Sequence, residues 1–372
     1  MGGKVWLLKK AIYGLKQAAR EFYKKLLSVM NLLGFKQAET DPCLFLRYDE
    51  KGVKREASVV HVDDGIVTGQ EKEVELLMEE LGEHLDIKYL GEAKYFLSLE
   101  LKREGGRLWL GQEGYVTEIL QRFGMERAVA YNTPMETKKK HRRAGEPLSD
   151  RTPYMSLVGA LLYLASRTRP DISYAVGVLS RYFEAPTVDH WLAAKYILHY
   201  LVGTKKMGLV YCKGGGQAEV YGDSDFAACL DTRKSRGGVA AMKSGAVLGW
   251  ESKMASTVVT STRDAEIGSA AIAVKLALWL RDVTCELEGT VQQIPVYCDN
   301  QAAQIVMSDV YAGSGRYKHI EIGHHFVRER VARKEVEVKF VRTDQQIADV
   351  LTKPLPAPKL EEMRKALGVM CF

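Results

Sequence analysis

The sequence predicts a mixed α/β and α+β protein built from more than one domain. Its 372 residues exceed the roughly 100–200 residues of a typical single domain, so two or three domains are expected. Hydrophobic residues make up 46% and charged residues 27%, which excludes a disordered, collagen-like or coiled-coil chain. In the second half of the chain, strand and helix patterns follow one another in an order that predicts a mixed sheet flanked by helices.

The first 130 residues are predicted to combine helices and strands. Apolar side chains recur at near-helical spacing over residues 4–34, and Gly34 marks the expected end of that helix. Residues 43–49 and 56–69 are typical of two strands, joined by a turn at Asp49-Glu50-Lys51-Gly52. The later predicted elements are a helix at 71–85, a hairpin of strands at 93–101 and 106–112, and a helix at 114–124.

A linker and a helical block follow. Residues 131–150 contain Pro134, Pro147 and the run Lys138-Lys139-Lys140-His141-Arg142-Arg143, which together indicate a long loop with a basic segment. The helices predicted after this loop span residues 154–166, 171–184 and 187–202. Lys213-Gly214-Gly215-Gly216 predicts a hinge, and we place the main domain boundary there.

Beyond the hinge, the pattern has the order βββαβαβα when the two middle helices are counted as one. The predicted elements are strands at 217–226, 237–243 and 246–251, a long helix at 263–285, a strand at 294–299, a short helix from 300, a helix at 318–333, a strand at 335–341 and a closing helix. This order is typical of a mixed sheet with helices packed on it.

Several classes of protein are not expected. No stretch of about 18 apolar residues is present, so we predict no membrane partner. The first residues show no signal-peptide pattern, which predicts an intracellular protein of the cytoplasm and/or nucleus. The six cysteines form no C-x-x-C pair, so neither structural zinc nor a disulfide scaffold is expected.

The surplus of positive over negative charge lies in the first part of the chain. The net charge is +6, and residues 216–372 hold 20 basic and 20 acidic residues, so the surplus lies in residues 1–215. Such a surplus favours contact with a polyanion. The candidate contacts to a nucleic-acid backbone are Lys9, Lys10, Lys16 and Arg20, with Lys24 and Lys25 beside them. A solvated helix face is the alternative interpretation.

Four acids in the second half are candidate metal ligands. Asp223 and Asp299 each follow a short strand, Glu266 lies early in an apolar helix, and Asp349 begins the last helix. Acids at the carboxyl ends of neighbouring strands can converge on one edge of a sheet. Mg²⁺ prefers carboxylate oxygens, and two such ions can activate a water and stabilise the leaving oxygen in phosphodiester cleavage. The alternative is that each acid is a helix cap or a surface residue.

Four motifs around these acids resemble the ribonuclease H domain of copia-type retrotransposon polyproteins. They are Val220-Tyr221-Gly222-Asp223-Ser224-Asp225-Phe226-Ala227, Ser261-Thr262-Arg263-Asp264-Ala265-Glu266-Ile267, Tyr297-Cys298-Asp299-Asn300-Gln301-Ala302-Ala303 and Gln345-Gln346-Ile347-Ala348-Asp349-Val350-Leu351-Thr352-Lys353-Pro354-Leu355. Phe226 replaces the Trp usual in the family. Residues 317–322 and 325–329 are also similar, and we interpret His319, His324 and His325 as part of a helix beside the site.

This resemblance implies an endoribonuclease. Asp223, Glu266, Asp299 and Asp349 fall on the family's catalytic, metal-binding positions, which implies that they hold two Mg²⁺ ions. The implied reaction is hydrolysis of the RNA strand in an RNA–DNA hybrid, which becomes the expected partner. Asp225 and Asp264 are interpreted as neighbours of the ligands or as surface acids.

The upstream half resembles the reverse transcriptase of the same family. Residues 8–20 are similar to the helix that faces template and incoming nucleotide, and Val60-His61-Val62-Asp63-Asp64-Gly65 resembles the paired-aspartate hairpin of the palm. Further similar segments are residues 89–97, 121–125 and 154–204. The resemblance implies that Asp63 and Asp64 are a relic of the polymerase metal site, with Asp63 the direct ligand.

The resemblance also implies parts of the polymerase that this sequence does not contain. These are the fingers and an aspartate upstream of residue 8, and His61 replaces the usual Tyr. We therefore expect a truncated palm at 1–130 that is inactive for synthesis alone, a connection at 131–215, and a ribonuclease H-like domain at 216–372.

Two alternatives stay open at this point. One is a non-catalytic nucleic-acid-binding relic of such a polymerase. The other is a residual polymerase that borrows its missing fingers from upstream Pol segments or from another Pol chain.

Overall fold

The computed structural model describes residue 12, residues 14–308 and residues 318–372. They form two compact units. The first lies within Met1–Leu97 and includes Glu286–Gly289, and the second comprises Ser98–Cys285 and Thr290–Phe372. Both predicted domain boundaries, after residue 130 and after residue 215, lie inside the second unit. The compact units therefore divide the chain differently from the domains that the family resemblance implies, and those domains stay a prediction.

The first unit combines two helices with an antiparallel sheet. Its elements are α1 (Ala18–Leu32), β1 (Phe35–Gln37), β2 (Leu44–Tyr48), β3 (Lys54–His61), β4 (Asp64–Thr68), α2 (Glu71–His84) and the short β5 (Tyr95–Phe96). The first four strands are adjacent in chain order. Apolar residues of both helices, including Met30 and Leu77, pack on Phe35 and Phe45 of the sheet. This arrangement buries the apolar stripe that predicted each helix.

Two predictions for the first unit are corrected. The described part of the predicted 4–34 helix begins only at Ala18, since Gly14 has a positive φ of 92° and residues 14–17 are turn or bend. The predicted strand at 56–69 is two strands, β3 and β4, which pair across a turn at Val62-Asp63. The turn at residues 49–52 is confirmed, because the Gly52 N–H donates to the Asp49 carbonyl.

The second unit begins with a strand hairpin and a helical block. Its elements up to residue 212 are β6 (Leu99–Glu104), β7 (Arg107–Gly111), α3 (Glu113–Arg122), α4 (Thr152–Arg167), α5 (Ser173–Leu179), α6 (Val188–Thr204) and β8 (Met207–Cys212). Residues 131–150, all of which the structure describes, contain no helix or strand, so the predicted loop is confirmed. Arg169 and Asp171 form a buried ion pair of 2.8 Å between α4 and α5, and Tyr200 of α6 donates to Asp171.

The later elements build the predicted mixed sheet. They are β9 (Glu219–Asp225), β10 (Arg236–Lys243), β11 (Ala246–Met254), α7 (Thr262–Glu288), β12 (Ile294–Cys298), α8 (Gln301–Ser308), α9 (Lys318–Ala332), β13 (Val336–Phe340), α10 (Asp349–Thr352), α11 (Ala357–Ala366) and β14 (Val369–Cys371). Among the described residues the strand order is β11-β10-β9-β12-β13. The β11-β10-β9 pairs are antiparallel, whereas β9, β12 and β13 run parallel.

The end of the chain differs from the single closing helix that the sequence predicts. The segment forms two helices, α10 and α11, because Pro354 and Pro356 interrupt the helical pattern between them. The final strand β14 was not predicted, and it pairs antiparallel with β8. No helix within the described ranges has the length and apolar character that crossing a bilayer requires.

A glycine allows α10 to approach the sheet closely. Gly238 of β10 lies opposite Asp223 of β9. A β-carbon placed on Gly238 would lie 2.7 Å from Thr352 Cγ2, 2.8 Å from Leu351 Cβ and 3.0 Å from the Ala348 carbonyl oxygen. The loop before α10 is also tied to β9, because buried Gln346 donates to the Gly222 carbonyl at 3.0 Å. Both contacts bring the start of α10 next to Asp223.

We expect Gly238→Ala to destabilise the protein by about 1–3 kcal/mol, because the added methyl overpacks the interface with α10. The matched control is Gly159→Ala in α4, where a β-carbon meets nothing within 4 Å. That change should stabilise by roughly 0.5–1 kcal/mol through helix propensity. Urea unfolding of both variants measures the difference, and equal stability of Gly238→Ala and wild type would contradict the close approach.

Candidate metal centre

Four carboxylates reach one edge of the mixed sheet from four separate elements. Asp223 lies on β9, and Asp299 directly follows β12, the parallel neighbour of β9. Glu266 is in the second turn of α7, and Asp349 is the first residue of α10. Contrary to the sequence prediction, Asp223 does not follow a short strand but lies within β9, which continues to Asp225 as the predicted strand at 217–226 implies. Asp223 therefore has a position fixed by strand pairing rather than by a loop.

The carboxylate oxygens are close enough to share cations. Within the described parts of the chain, ligand atoms of Asp223, Asp299 and Asp349 lie within 4.8 Å of one another. A second group, Glu266, Cys298 and Asp299, meets the same limit. Asp223, Glu266 and Asp349 are buried, and Asp299 is half-buried. Clustered carboxylates suit a divalent cation, so these residues are compatible with a divalent metal site, whereas the Cys298 thiol is too soft a ligand for Mg²⁺.

Burial and mutual repulsion oppose ionisation of these carboxyl groups. Burial, followed by the negative charges of Asp223 and Asp299, raises the pKa of Glu266 to about 9. Burial and the charge of Asp223 likewise raise the pKa of Asp349 to about 7. The pKa of Asp299 is also raised, again chiefly by burial and by Asp223. Ionising all of them together requires nearby positive charge.

Lys353 supplies positive charge to the cluster. The Lys353 ammonium lies 2.8 Å from Asp349 Oδ1 and is partly buried. Burial lowers the pKa of Lys353, but the charges of Asp223 and Asp349 outweigh it and the pKa is raised. The neighbouring Thr352 hydroxyl donates a hydrogen bond to Asp223 Oδ2.

Sequence reasoning did not assign Thr352 or Lys353 to the site. For Lys353 a signal was available, since it follows Asp349 by four residues at the start of a predicted helix, the spacing of an i,i+4 ion pair. For Thr352 no local signal exists, because its partner Asp223 is 129 residues away along the chain.

The cluster opens into a cleft of about 500 Å³. The polar side chains lining it besides the acids are Ser224, Thr262, Asn300, Gln301 and Lys353. Asp225 is half-buried, and burial together with the charge of Asp223 raises its pKa. Asp264 is buried, and its backbone N–H donates a hydrogen bond to the Ser261 hydroxyl at 3.1 Å. His325 is exposed, whereas the side chains of His319 and His324 lie outside what the structure describes.

The polymerase-like acids have different surroundings. Asp63 lies in the turn between β3 and β4, Asp64 begins β4 opposite His61, and both acids are exposed. Among the described residues, neither belongs to a group of side chains placed to share a metal ion.

The basic residues predicted to contact nucleic acid are only partly described. Lys16 is exposed in the turn before α1, and Arg20 is exposed in the first turn of that helix. Lys9 and Lys10 lie outside the described residues. Their role in binding stays a prediction.

Comparison with known proteins identifies relatives over nearly the whole chain. The pattern of the family described as reverse transcriptase (RNA-dependent DNA polymerase) matches residues 1–137. The Pol polyprotein from transposon TNT 1-94 of Nicotiana tabacum is 36% identical over 97% of this chain, which spans 28% of that polyprotein's length. The putative transposon Ty5-1 protein of Saccharomyces cerevisiae is 32% identical over 68% of this chain and 83% of its own length.

A solved structure supports the fold. The foamy viral protease-reverse transcriptase, determined in complex with an RNA/DNA hybrid, matches 89% of this chain and 39% of its own with a TM-score of 0.50 and 12% identity. The fold class is therefore α/β and α+β, as predicted: the chain shares the fold of this reverse transcriptase and contains a mixed sheet flanked by helices. With the sequence identities above, the chain belongs to the family of copia-type retrotransposon Pol polyproteins.

Proposed function

We propose that this chain hydrolyses the RNA strand of RNA–DNA hybrids in a metal-dependent reaction at the mixed sheet. The observation that supports this function is the convergence of Asp223, Asp299 and Asp349, with Glu266 beside Asp299. Such a cluster of hard oxygen ligands matches the needs of phosphodiester hydrolysis. Membership in the Pol polyprotein family makes a nucleic acid the expected substrate.

We infer that the site takes two Mg²⁺ ions. The carboxylates of Asp223, Asp299 and Asp349 would hold one ion, and the carboxylates of Glu266 and Asp299, without the Cys298 thiol, would take part in holding the second. When bound, the ions activate a water and stabilise the leaving oxygen. Asp223, Glu266, Asp299 and Asp349 are the residues that would hold them.

Other residues prepare the carboxylates for this task. The Thr352 hydroxyl fixes one oxygen of Asp223, and the Lys353 ammonium offsets negative charge at Asp349. Ser224, Thr262, Asn300 and Gln301 place hydroxyl and amide groups along the cleft. Groups of this kind can hydrogen-bond the 2′-hydroxyls that distinguish an RNA strand from DNA.

We propose that the first unit is a palm relic that does not synthesise DNA alone. Asp63 and Asp64 are exposed and, within the described ranges, have no third carboxylate grouped with them. Synthesis would need further residues from upstream Pol segments or from another Pol chain. A location in the cytoplasm and/or nucleus stays a prediction.

The metal-free protein should lose stability as the pH rises from about 4.5 to about 9. Folding raises the pKa of Glu266 from 4.5 to about 9, so between these values the folded chain binds a proton that the unfolded chain releases. Glu266→Gln cannot ionise, so it should be more stable than wild type in EDTA, by a margin that grows with pH. Mg²⁺ should stabilise wild type more than the variant, because the variant keeps only the group formed by Asp223, Asp299 and Asp349.

Urea unfolding in EDTA across this pH window, and at neutral pH with Mg²⁺, measures both effects. Glu337→Gln, a change at an exposed acid of β13, is the matched control. A stability difference between Glu266→Gln and wild type that stays constant with pH would contradict the raised pKa.

Wild type should cleave a labelled RNA–DNA hybrid in the presence of Mg²⁺ and leave single-stranded and double-stranded RNA intact. Asp299→Asn should lower the rate by about 100-fold or more, because removing a preorganised charged group from such a site has effects of this order. The control is Asp282→Asn, at an exposed acid of α7 that lies 16 residues, about 24 Å, beyond Glu266 on the same helix. Hybrid binding without cleavage by folded wild type would instead support the non-catalytic relic.

The chain alone should not extend a DNA primer annealed to an RNA template, because Asp63 and Asp64 lack a third carboxylate among the described residues. Incorporation of labelled nucleotide measures this activity. Incorporation that disappears in Asp63→Asn would show a working polymerase site, and incorporation only after addition of an upstream Pol fragment would support the borrowed-fingers alternative.

A further inference from the structure

The basic segment, residues 138–143, has no role in the site described above. It carries five Lys and Arg side chains within six residues of the loop between α3 and α4. Lys138, Lys140, Arg142 and Arg143 are exposed. Lys139 is partly buried and pairs with Asp189 of α6 at 3.0 Å. The segment therefore presents a dense row of cationic groups to solvent.

Hydrogen bonds hold the backbone at the C-terminal end of this segment and just after it. The Arg143 N–H donates to Asp231 Oδ1 at 3.1 Å. Directly after the segment, the Val188 N–H donates to the Glu146 carbonyl, and the Leu148 N–H donates to the Pro186 carbonyl, both at 2.9 Å. These bonds hold the loop on the N-terminal end of α6 and on the loop between β9 and β10, which contains Asp231.

A buried histidine contacts the backbone of the segment from below. His190 of α6 accepts the Thr187 N–H at Nδ1 over 3.0 Å, and its ring hydrogen-bonds to the Arg142 backbone. The ring stacks on Tyr182 with centroids 3.8 Å apart, and the Tyr182 hydroxyl donates to Asp231. His190, Tyr182 and Asp231 thus hold the end of the segment in place before any ligand binds. Binding by the exposed cations would therefore cost less ordering of the chain.

The segment contacts the loop that follows the strand of Asp223. That strand, β9, ends at Asp225, and the loop after it begins at the sheet edge where the carboxylates converge. Asp231, which the Arg143 N–H contacts, lies six residues further along the chain. A polyanion seated on these cations would thus pass the mouth of the cleft.

We propose that residues 138–143 bind the phosphate backbone of the RNA–DNA hybrid and hold it across the carboxylate site. The inference rests on the proposed function, because it names the surface that brings that substrate to that cleft. Exposed Lys and Arg side chains supply phosphate contacts that position a duplex without reading its sequence. The occupant follows from charge complementarity and from the neighbouring site, which itself acts on a nucleic acid.

The test measures hybrid binding in EDTA, so that no cleavage is required. The variant is the triple change Lys138→Gln, Lys140→Gln and Arg142→Gln, which retains the Lys139–Asp189 pair. The control carries Lys205→Gln, Lys206→Gln and Lys213→Gln, three exposed lysines at or beyond the other end of α6. Both proteins lose the same net charge, so only the position of that charge differs.

Fluorescence anisotropy of a labelled hybrid between about 50 and 200 mM salt gives the affinity and its salt dependence. Each phosphate contact contributes about 0.9 to the slope of log affinity against log salt, so the variant's slope should be about 2–3 smaller. Its affinity at about 0.15 M salt should be at least about tenfold weaker, with the control close to wild type. An affinity and slope equal to the control's would overturn the proposal.

Further observations keep this result interpretable. Unchanged melting temperatures show that the variant is folded, and the single change Lys140→Gln, with an expected slope reduction of about 0.9, replaces the triple variant if folding fails. If wild type binds through these residues but cleaves no hybrid under Mg²⁺, the proposed nuclease fails while the binding surface stands. If wild type cleaves and the variant binds equally well, only the binding surface fails.

Discussion

Electrostatic repulsion among buried carboxylates is the interaction on which the structure at the sheet edge depends. Asp223, Glu266 and Asp349 are removed from water close to one another, and the raised pKa values of Glu266 and Asp349 report the free energy that full ionisation would require. The fold holds the groups together by strand pairing, by helix packing and by the ammonium of Lys353. A site of this kind is arranged for a charged ligand rather than for stability.

The site also depends on parts of the chain far from the mixed sheet. Leu157 of α4 and Ile197 of α6 share one apolar core with Ala240 of β10 and Leu351 of α10. Trp250 of β11 donates to the Ala165 carbonyl at the end of α4. The helical block that includes α4 and α6 and the mixed sheet therefore stabilise each other, although the sequence predicts them as separate domains. Packing of α10, and hence of Asp349, relies on this common core.

The aspartates of the β3–β4 hairpin and the aspartate of β9 show how local surroundings change the behaviour of a carboxylate. Asp63 and Asp64 lie at the exposed tip of a hairpin, where water solvates them. Asp223 lies opposite Gly238 of the adjacent strand β10 and beneath α10, where water is excluded and other acids are near. Identical side chains thus differ in their demand for a cation, because the effective dielectric and the number of neighbouring charges differ.

The sequence by itself determined the order of helices and strands between residues 217 and 341, the four candidate acids and the family, because periodicity and motifs are local properties of the chain. It did not reveal the split between β3 and β4, the strand β14, the Thr352–Asp223 hydrogen bond or the location of residues 138–143. These features depend on contacts between distant segments, and a short strand or a single hydroxyl leaves no periodic signal. Only the tertiary structure decided which charges share one site, since repulsion and pairing act through space rather than along the chain.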